Sequence, residues 1–136
     1  MLSNREEKTI YNGIDLNVFH PTQSDKKREL HLDDKFVILG MANKWFSEDN
    51  IETFEYIVSN LDKSIVLLLV GCSESQMQQN TRDNVLMKGF VKSRTELAEY
   101  YSISDVFVNV TKVDSLPTVN IESIACGTPV ITYDSG

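Results

Sequence analysis

The sequence predicts an α/β fold in which a mainly parallel sheet carries helices on both faces. One observation is a set of short, almost wholly apolar runs, which is typical of strands that are buried on both sides. A second is that amphipathic stretches of helical period separate these runs. Such alternation of strands and helices is typical of a Rossmann-like, doubly wound sheet. The apolar runs lie at 36–39, 65–70, 85–87, 106–108 and 130–131.

The first predicted helix covers residues 48–61. Its apolar residues recur at helical spacing and form one stripe toward the sheet, while the glutamates between them face water. Ser47 is the expected N-cap, because its hydroxyl can accept a hydrogen bond from the first turn. The stripe consists of Ile51, Phe54, Val58 and Leu61.

Two further helices are predicted at 94–103 and 118–126. Ser93 and Glu96 form a capping-box pattern before the first of them. Gly127 ends the second, because glycine readily adopts the backbone conformation that closes a helix. The expected inward residues are Leu97, Tyr100 and Tyr101 in the first helix and Ile121, Ile124 and Ala125 in the second.

The composition predicts one globular domain over residues 1–136, in the reducing environment of the cytoplasm. The 13 Lys and Arg residues against 20 Asp and Glu residues give a net charge of −7, which argues against nonspecific nucleic-acid binding. Cys72 and Cys126 are far apart and lack metal-ligand spacing, which argues against a zinc site and a disulfide scaffold. The longest aliphatic run, 65–70, is much too short to span a bilayer.

The loop at 111–118 is the most informative candidate site. In open α/β sheets, ligands bind beyond the carboxyl ends of the strands, against helix N-termini. This loop follows a strand, carries Asp114 and leads into the helix that carries Glu122. Carboxylates can accept hydrogen bonds from sugar hydroxyls, and the helix N–H groups suit a phosphate. The alternative is that Asp114 caps a turn and Glu122 stabilises the helix dipole, and the residues alone leave both interpretations open.

The segment DSLPTVNIESIACGTPVIT (114–132) resembles the signature of the group 1 glycosyltransferases, a retaining family with the GT-B fold. That signature is two glutamates separated by seven residues, followed by Ala-x-Gly-x-Pro-Val. Other segments match the family in order along nearly the whole chain. They are YNGIDLNVFHP (11–21), VILGMANKW (37–45), LLLVG (67–71), GFV (89–91) and ELAEYYSISDVFVNVT (96–111).

The resemblance implies a donor site for a nucleotide-diphosphate sugar. Glu122 matches the carboxylate that holds the ribose hydroxyls, and Asp114 matches the catalytic carboxylate that faces the donor sugar. The turn at Phe90 and Val91 matches the backbone that pairs with the base, and Gly40 matches the close-approach position after the first strand. The main-chain segment against the sugar and phosphates matches Leu116, Pro117 and Thr118.

Two departures from the family pattern bear on catalysis. Asp114 is one methylene shorter than the usual glutamate, which shortens its reach to the sugar. Residues 48–50, Glu-Asp-Asn, stand where the family has Arg-Lys-Gly, whose cations neutralise the diphosphate. Lys44 is the only basic candidate in that loop, and the alternative for it is a solvated surface lysine.

The resemblance implies half of a GT-B enzyme, which moves a glycosyl group from the nucleotide sugar to an acceptor hydroxyl. It implies no cofactor and no metal, because side chains and a helix N-terminus neutralise the diphosphate. It also implies a missing N-terminal acceptor-binding domain, so we expect this chain alone to be inactive. The stop directly after a strand suggests a truncated piece, and any membrane contact would belong to the missing domain.

Two other functions remain as alternatives. A degenerate domain that binds a nucleotide weakly, or only pairs with a partner, is favoured by the acidic pair at 48–49. An unrelated flavodoxin-like or receiver domain needs acidic residues directly after the first strand, where the chain has GMANKW. A short strand is expected at 8–11, before the sheet begins.

Overall fold

The sheet is entirely parallel. Within residues 6–134, which the computed structural model describes, five strands pair in the order β3-β2-β1-β4-β5. All five predicted strands are present, and the predicted α/β fold class is confirmed. The strands are β1 (Phe36–Met41), β2 (Ile65–Val70), β3 (Val85–Lys88), β4 (Val106–Asn109) and β5 (Val130–Thr132).

One short helix precedes the first strand, and the other helices connect successive strands. In the described part of the chain they are α1 (Lys26–Glu29), α2 (Ala42–Trp45), α3 (Ile51–Asn60), α4 (Glu74–Gln79), α5 (Arg94–Ile103) and α6 (Thr118–Ala125). Helix α5 has the predicted bounds, and the Ser93 hydroxyl accepts a hydrogen bond from the Glu96 N–H at 3.2 Å. None of the helices within 6–134 combines the length and apolar character that a membrane crossing requires.

The start of α3 differs from the prediction. The helix begins at Ile51, and Ser47 does not cap it. The reason is that residues 42–45 already form α2, and the Ser47 hydroxyl donates to the carbonyl of Lys44 at 3.0 Å. Phe54 and Val58 are buried as predicted, whereas Ile51 at the first position is 40% exposed.

The inward face of α6 and the predicted strand at 8–11 are also corrected. Ile124 is 64% exposed, and the fully buried residue of α6 is Ser123. Its hydroxyl donates to the carbonyl of Thr128 at 3.0 Å, so the buried polar group has a hydrogen-bond partner. Residues 8–11 form no strand, and Ile10 and Tyr11 are largely exposed.

Each face of the sheet has its own hydrophobic core. In β2, Leu68 packs in the cluster that contains Tyr101 of α5, while its neighbour Leu67 packs in the cluster that contains Phe54 of α3. Successive side chains of a strand point to opposite faces, so an uninterrupted apolar run fills both cores. The sheet is therefore covered on both faces, as the sequence predicts.

The sheet has its topological switch point between β1 and β4. These two strands pair only at Ile38 with Val106 and Leu39 with Phe107, and then separate. The indole of Trp45 packs where they separate. Its N–H donates to the carbonyl of Val108 in β4 at 3.3 Å. A crevice at such a point is the usual ligand site of a doubly wound sheet.

Gly40 provides the space that this indole occupies. A Cβ added at Gly40 would overlap the Trp45 ring and lie 2.9 Å from Leu69 Cδ2. Gly40→Ala should therefore lower the free energy of unfolding by about 1–3 kcal/mol, the usual range for overpacking. Urea unfolding followed by the fluorescence of Trp45, the single tryptophan, measures this change.

Gly13→Ala is the matched control, because a Cβ at Gly13 has nothing within 4 Å. It should change stability by less than about 0.5 kcal/mol. Equal unfolding midpoints for Gly40→Ala and wild type would show that the indole moves aside without cost.

Candidate functional site

A cavity of about 390 Å³ opens at the carboxyl ends of β1 to β4, at the switch point. Its walls come from the end of β1 and α2, the starts of the loops after β2 and β3, the loop after β4, and the first turn of α6. The volume lies in the range of small-molecule sites. The cavity therefore occupies the place where the topology predicts a ligand.

Asn109, the last residue of β4, organises the loop that carries Asp114. Its side-chain carbonyl accepts a hydrogen bond from the Thr111 N–H at 3.0 Å, and its amide donates to the side chain of Asn120 at 2.9 Å. These bonds join the end of the strand to the first turn of α6. Asp114 is partly buried and lines the cavity, and its predicted catalytic role stays a prediction.

The N-terminus of α6 also faces the cavity. Pro117 is its N-cap, and no side chain in the described part of the chain caps the helix. Pro117, Thr118 and Val119 all line the cavity. The first N–H groups of a helix lack intrahelical partners and carry a partial positive charge. This end of the cavity therefore favours an anionic group.

The charges of the cavity wall are few. Lys44 is the single cation, and Asp114 the single anion, among the described residues that line it. Glu48 and Asp49 are exposed and lie outside the lining. The backbone carbonyl of Asp49 accepts a hydrogen bond from the Lys112 ammonium at 2.7 Å, which ties the loop after β1 to the loop after β4.

Glu122 is paired with a buried tyrosine. The Tyr101 hydroxyl donates to Glu122 Oε2 at 3.0 Å. Burial raises the pKa of the Glu122 carboxyl above its usual value, while the hydrogen bond from Tyr101 and the charge of Arg94 act in the opposite direction. The carboxylate therefore sits in a partly desolvated position and depends on these two partners for its charge.

The loop after β3 contributes an exposed aromatic ring. Phe90 is 81% exposed and Val91 is partly buried, and both line the cavity. A large apolar side chain so accessible at the edge of a cavity can stack on a planar group. The base-binding role that the resemblance implies for this turn stays a prediction.

Three predicted site residues lie outside the cavity lining. Gly40 is inside β1, and the group that comes close to it is the Trp45 indole. Leu116 lies in the loop after β4, and its carbonyl accepts a weak hydrogen bond from the Asn12 amide at 3.5 Å. Glu122 lies one turn further along α6. The donor-binding role of these three residues stays a prediction, as do the roles of the predicted residues that line the cavity.

Several residues that build the site were not assigned to it from the sequence. Asn109 and Asn120 join the strand to the helix, and Tyr101 holds Glu122. The tyrosine is recognisable only as an inward apolar position, and nothing in the helical period shows that its hydroxyl meets a carboxylate. Within residues 6–134, no three His, Cys, Asp or Glu side chains come together as a metal site.

The comparison with protein families identifies the chain. The family described as glycosyl transferases group 1 matches residues 22–136. The chain belongs to this family. The match covers both the signature segment at 114–132 and the strands that form the cavity, so the predicted resemblance is confirmed.

Relatives of this group 1 glycosyltransferase chain are much longer. It is 28% identical to the N-acetyl-alpha-D-glucosaminyl L-malate synthase of Bacillus anthracis over 94% of the chain and 35% of that protein. The chain thus spans about a third of the length of the curated relatives it matches.

Solved structures confirm the GT-B half-fold. The sucrose-phosphate synthase of Thermosynechococcus elongatus matches 91% of this chain with 34% of its own, at a TM-score of 0.68 and 29% identity. HepE of Anabaena, solved in complex with UDP, matches 95% of this chain with 39% of its own, at a TM-score of 0.74 and 22% identity.

The raised pKa of Glu122 predicts a pH-dependent effect on the stability of this glycosyltransferase chain. A carboxyl whose pKa is higher in the folded state contributes stability below its unfolded pKa, about 4.3, and loses it as the pH rises through the folded pKa. Glu122→Gln cannot ionise and can still accept the Tyr101 hydrogen bond. It should therefore melt at a higher temperature than wild type at pH 7.5, with a difference that shrinks toward pH of about 4.

Scanning calorimetry between these pH values measures the difference. Glu7→Gln, at an exposed position before α1, is the control and should show no such pH-dependent gain. A melting temperature of Glu122→Gln that stays below wild type at every pH would contradict the expectation.

Proposed function

We propose that this chain is the donor-binding domain of a retaining glycosyltransferase and binds a nucleotide-diphosphate sugar in the cavity at the switch point. The main observation behind this proposal is the lining of one cavity. It is lined by the uncapped N-terminus of α6, by Asp114 and Lys44, and by the exposed ring of Phe90. These groups suit an anion, a sugar and a planar base. HepE, whose fold this chain shares, has been solved with UDP and with UDP-glucose, which supports the proposal.

In this arrangement the ligand extends across the carboxyl ends of the strands. The base lies at Phe90 and Val91, and its diphosphate faces Lys44 and the N–H groups of α6. The donor sugar lies near Asp114. The ribose hydroxyls donate to Glu122, and the backbone around Leu116, Pro117 and Thr118 contacts the sugar and phosphates.

The proposed reaction transfers the glycosyl group with retention of its anomeric configuration. The bond between the anomeric carbon and the phosphate oxygen breaks, a bond from that carbon to the acceptor oxygen forms, and the proton of the acceptor hydroxyl passes to the leaving phosphate or to solvent. The leaving nucleoside diphosphate keeps the bonding electrons, so positive groups beside it stabilise the transition state. A further domain supplies the acceptor, and the chain alone should therefore show no turnover with donors and candidate acceptors.

A second candidate function is nucleotide binding without transfer. It is favoured by the charge of the site, because Lys44 is the single cation among the described lining residues and the adjacent acidic pair is exposed. In this function the domain holds a nucleotide weakly, or serves mainly to pair with a partner. The affinity for nucleoside diphosphates separates the two functions.

The ribose contact predicts that Glu122→Gln weakens nucleotide binding. Glutamine replaces the charged acceptor by a neutral one, whose hydrogen bond is weaker by about 1 kcal/mol, so the affinity should fall roughly fivefold. Glutamine is the substitution of choice, because alanine would also leave the buried Tyr101 hydroxyl without an acceptor. Titration calorimetry with UDP, GDP and ADP measures the effect.

Glu7→Gln again serves as the control and should bind as wild type does. If wild type binds one nucleotide saturably and Glu122→Gln binds it with the same affinity, Glu122 does not contact the ribose. The absence of saturable binding by wild type to any of the three would count against the proposed function itself.

The acidic pair predicts that its reversal strengthens diphosphate binding. A carboxylate about 6 Å from a phosphate charge costs roughly 0.7–3 kcal/mol, depending on the effective dielectric constant. Glu48→Arg/Asp49→Lys should therefore bind a nucleoside diphosphate at least about tenfold more tightly, with a gain that shrinks as salt rises.

Asp33→Arg/Asp34→Lys makes the same change in net charge at the control position. These two exposed residues precede β1 and so lie at the opposite, amino-terminal edge of the sheet. An equal gain in both double variants would show that net charge alone is responsible. No gain in either would show that the side chains at 48 and 49 point away from the phosphates.

A further inference from the structure

Tyr101 is held in one orientation from several sides. Its side chain is fully buried, and its ring makes edge contacts with Phe19 and Phe107 at centroid distances of 6.3 and 5.5 Å. Its backbone carbonyl accepts a hydrogen bond from the Thr128 hydroxyl at 2.6 Å. A ring packed in this way has a hydroxyl whose position is set before any ligand arrives.

That hydroxyl holds one half of the Glu122 carboxylate. It donates to Oε2 at 3.0 Å, the one hydrogen bond that the Glu122 side chain makes within residues 6–134. The next residue, Ser123, is fully buried and donates to the carbonyl of Thr128, whose hydroxyl in turn donates to the Tyr101 carbonyl. These bonds connect the helix that carries Glu122 to α5. Oxygen Oε1 keeps its capacity to accept hydrogen bonds.

We propose that Tyr101 is a positioning residue, whose hydroxyl fixes Glu122 Oε2 so that Oε1 meets the ribose hydroxyls of the bound nucleotide. This inference rests on the proposed function of the cavity. A free glutamate side chain samples many rotamers, and ordering them on binding weakens affinity. Tyr101 lowers that cost, because its hydrogen bond orders the carboxylate before the nucleotide binds.

The hydrogen bond also affects the charge of the carboxylate. The groups that face Glu122 are the Tyr101 hydroxyl and the Arg94 guanidinium on α5 and the Cys126 thiol after α6. Burial disfavours the ionised form of Glu122, whereas the donor from Tyr101 and the charge of Arg94 favour it. Removing the Tyr101 hydroxyl should therefore raise the pKa of Glu122 further.

The first experiment follows Glu122 in the protein without ligand. The carboxyl carbon of Glu122 is titrated by NMR in wild type, Tyr101→Phe and Tyr100→Phe. Tyr100 is the matched control, because it is a buried tyrosine of the same helix whose ring lies 4.6 Å from the Lys26 ammonium. We expect the Glu122 titration to move to higher pH in Tyr101→Phe alone. An unchanged midpoint in that variant would overturn the proposal.

A measurement on wild type guards against a variant that fails to fold. The Tyr101 hydroxyl proton should be protected from exchange with water and should change its chemical shift as Glu122 titrates. A Tyr101 hydroxyl signal that does not respond to that titration would overturn the proposal without any substitution.

The second experiment measures binding of UDP, GDP and ADP to the same three proteins between pH 5 and 8. Tyr101→Phe should bind about three- to tenfold more weakly at pH 8, and its affinity should fall at a higher pH on acidification than that of wild type. Tyr100→Phe should stay within about twofold of wild type. Equal affinity and equal pH dependence in all three proteins would overturn the positioning role.

The two experiments separate this inference from the proposed function. Wild type that binds none of the nucleotides refutes the function, and with it the ribose contact, whatever the NMR titration shows. If wild type binds a nucleotide but the Glu122 titration is the same in wild type and Tyr101→Phe, only the positioning role of Tyr101 is refuted.

Discussion

The position of the Trp45 indole at the switch point is the constraint on which the rest of the site depends. β1 and β4 pair over two residues and then part, and the indole fills the gap against Gly40 while its N–H bonds to the carbonyl of Val108. The ring thus contacts both strands, and the loops that follow them line one cavity. The cavity therefore lies at the switch point, where β1 and β4 separate.

The electrostatics of the cavity depend on the backbone as much as on side chains. The uncapped N-terminus of α6 supplies positive potential where Lys44 is the one lining cation among the described residues. The carboxylate of Glu122 is kept in a half-buried place by a buried hydroxyl and a nearby guanidinium. In the proposed function, such a site would bind an anion and a diol mainly through fixed hydrogen-bond donors and acceptors, because few charged side chains line the cavity.

The sheet could be predicted because its signal is local. A strand buried on both faces must be apolar at every position, as 65–70 is, whatever else packs around it. The errors arose where a neighbour changed the outcome. Ser47 has the chemistry of an N-cap but completes the turn of α2, and Ile124 has helical spacing but loses the inward position to Ser123. Neither competing contact follows from helix period or capping preference.

For the site, the sequence by itself determined which loops line the cavity, and the chemistry that it predicts for them stays a prediction. The motif around Asp114 and Glu122 and the turn at Phe90 are local patterns, because a loop and the helix after it must be contiguous in the chain. Only the tertiary structure decided that Tyr101, 21 residues before Glu122, meets that carboxylate. The physical reason is that this contact depends on how two helices pack on one face of the sheet. Helix packing brings together residues that are distant in the sequence, and no periodic pattern along the chain predicts which of them meet.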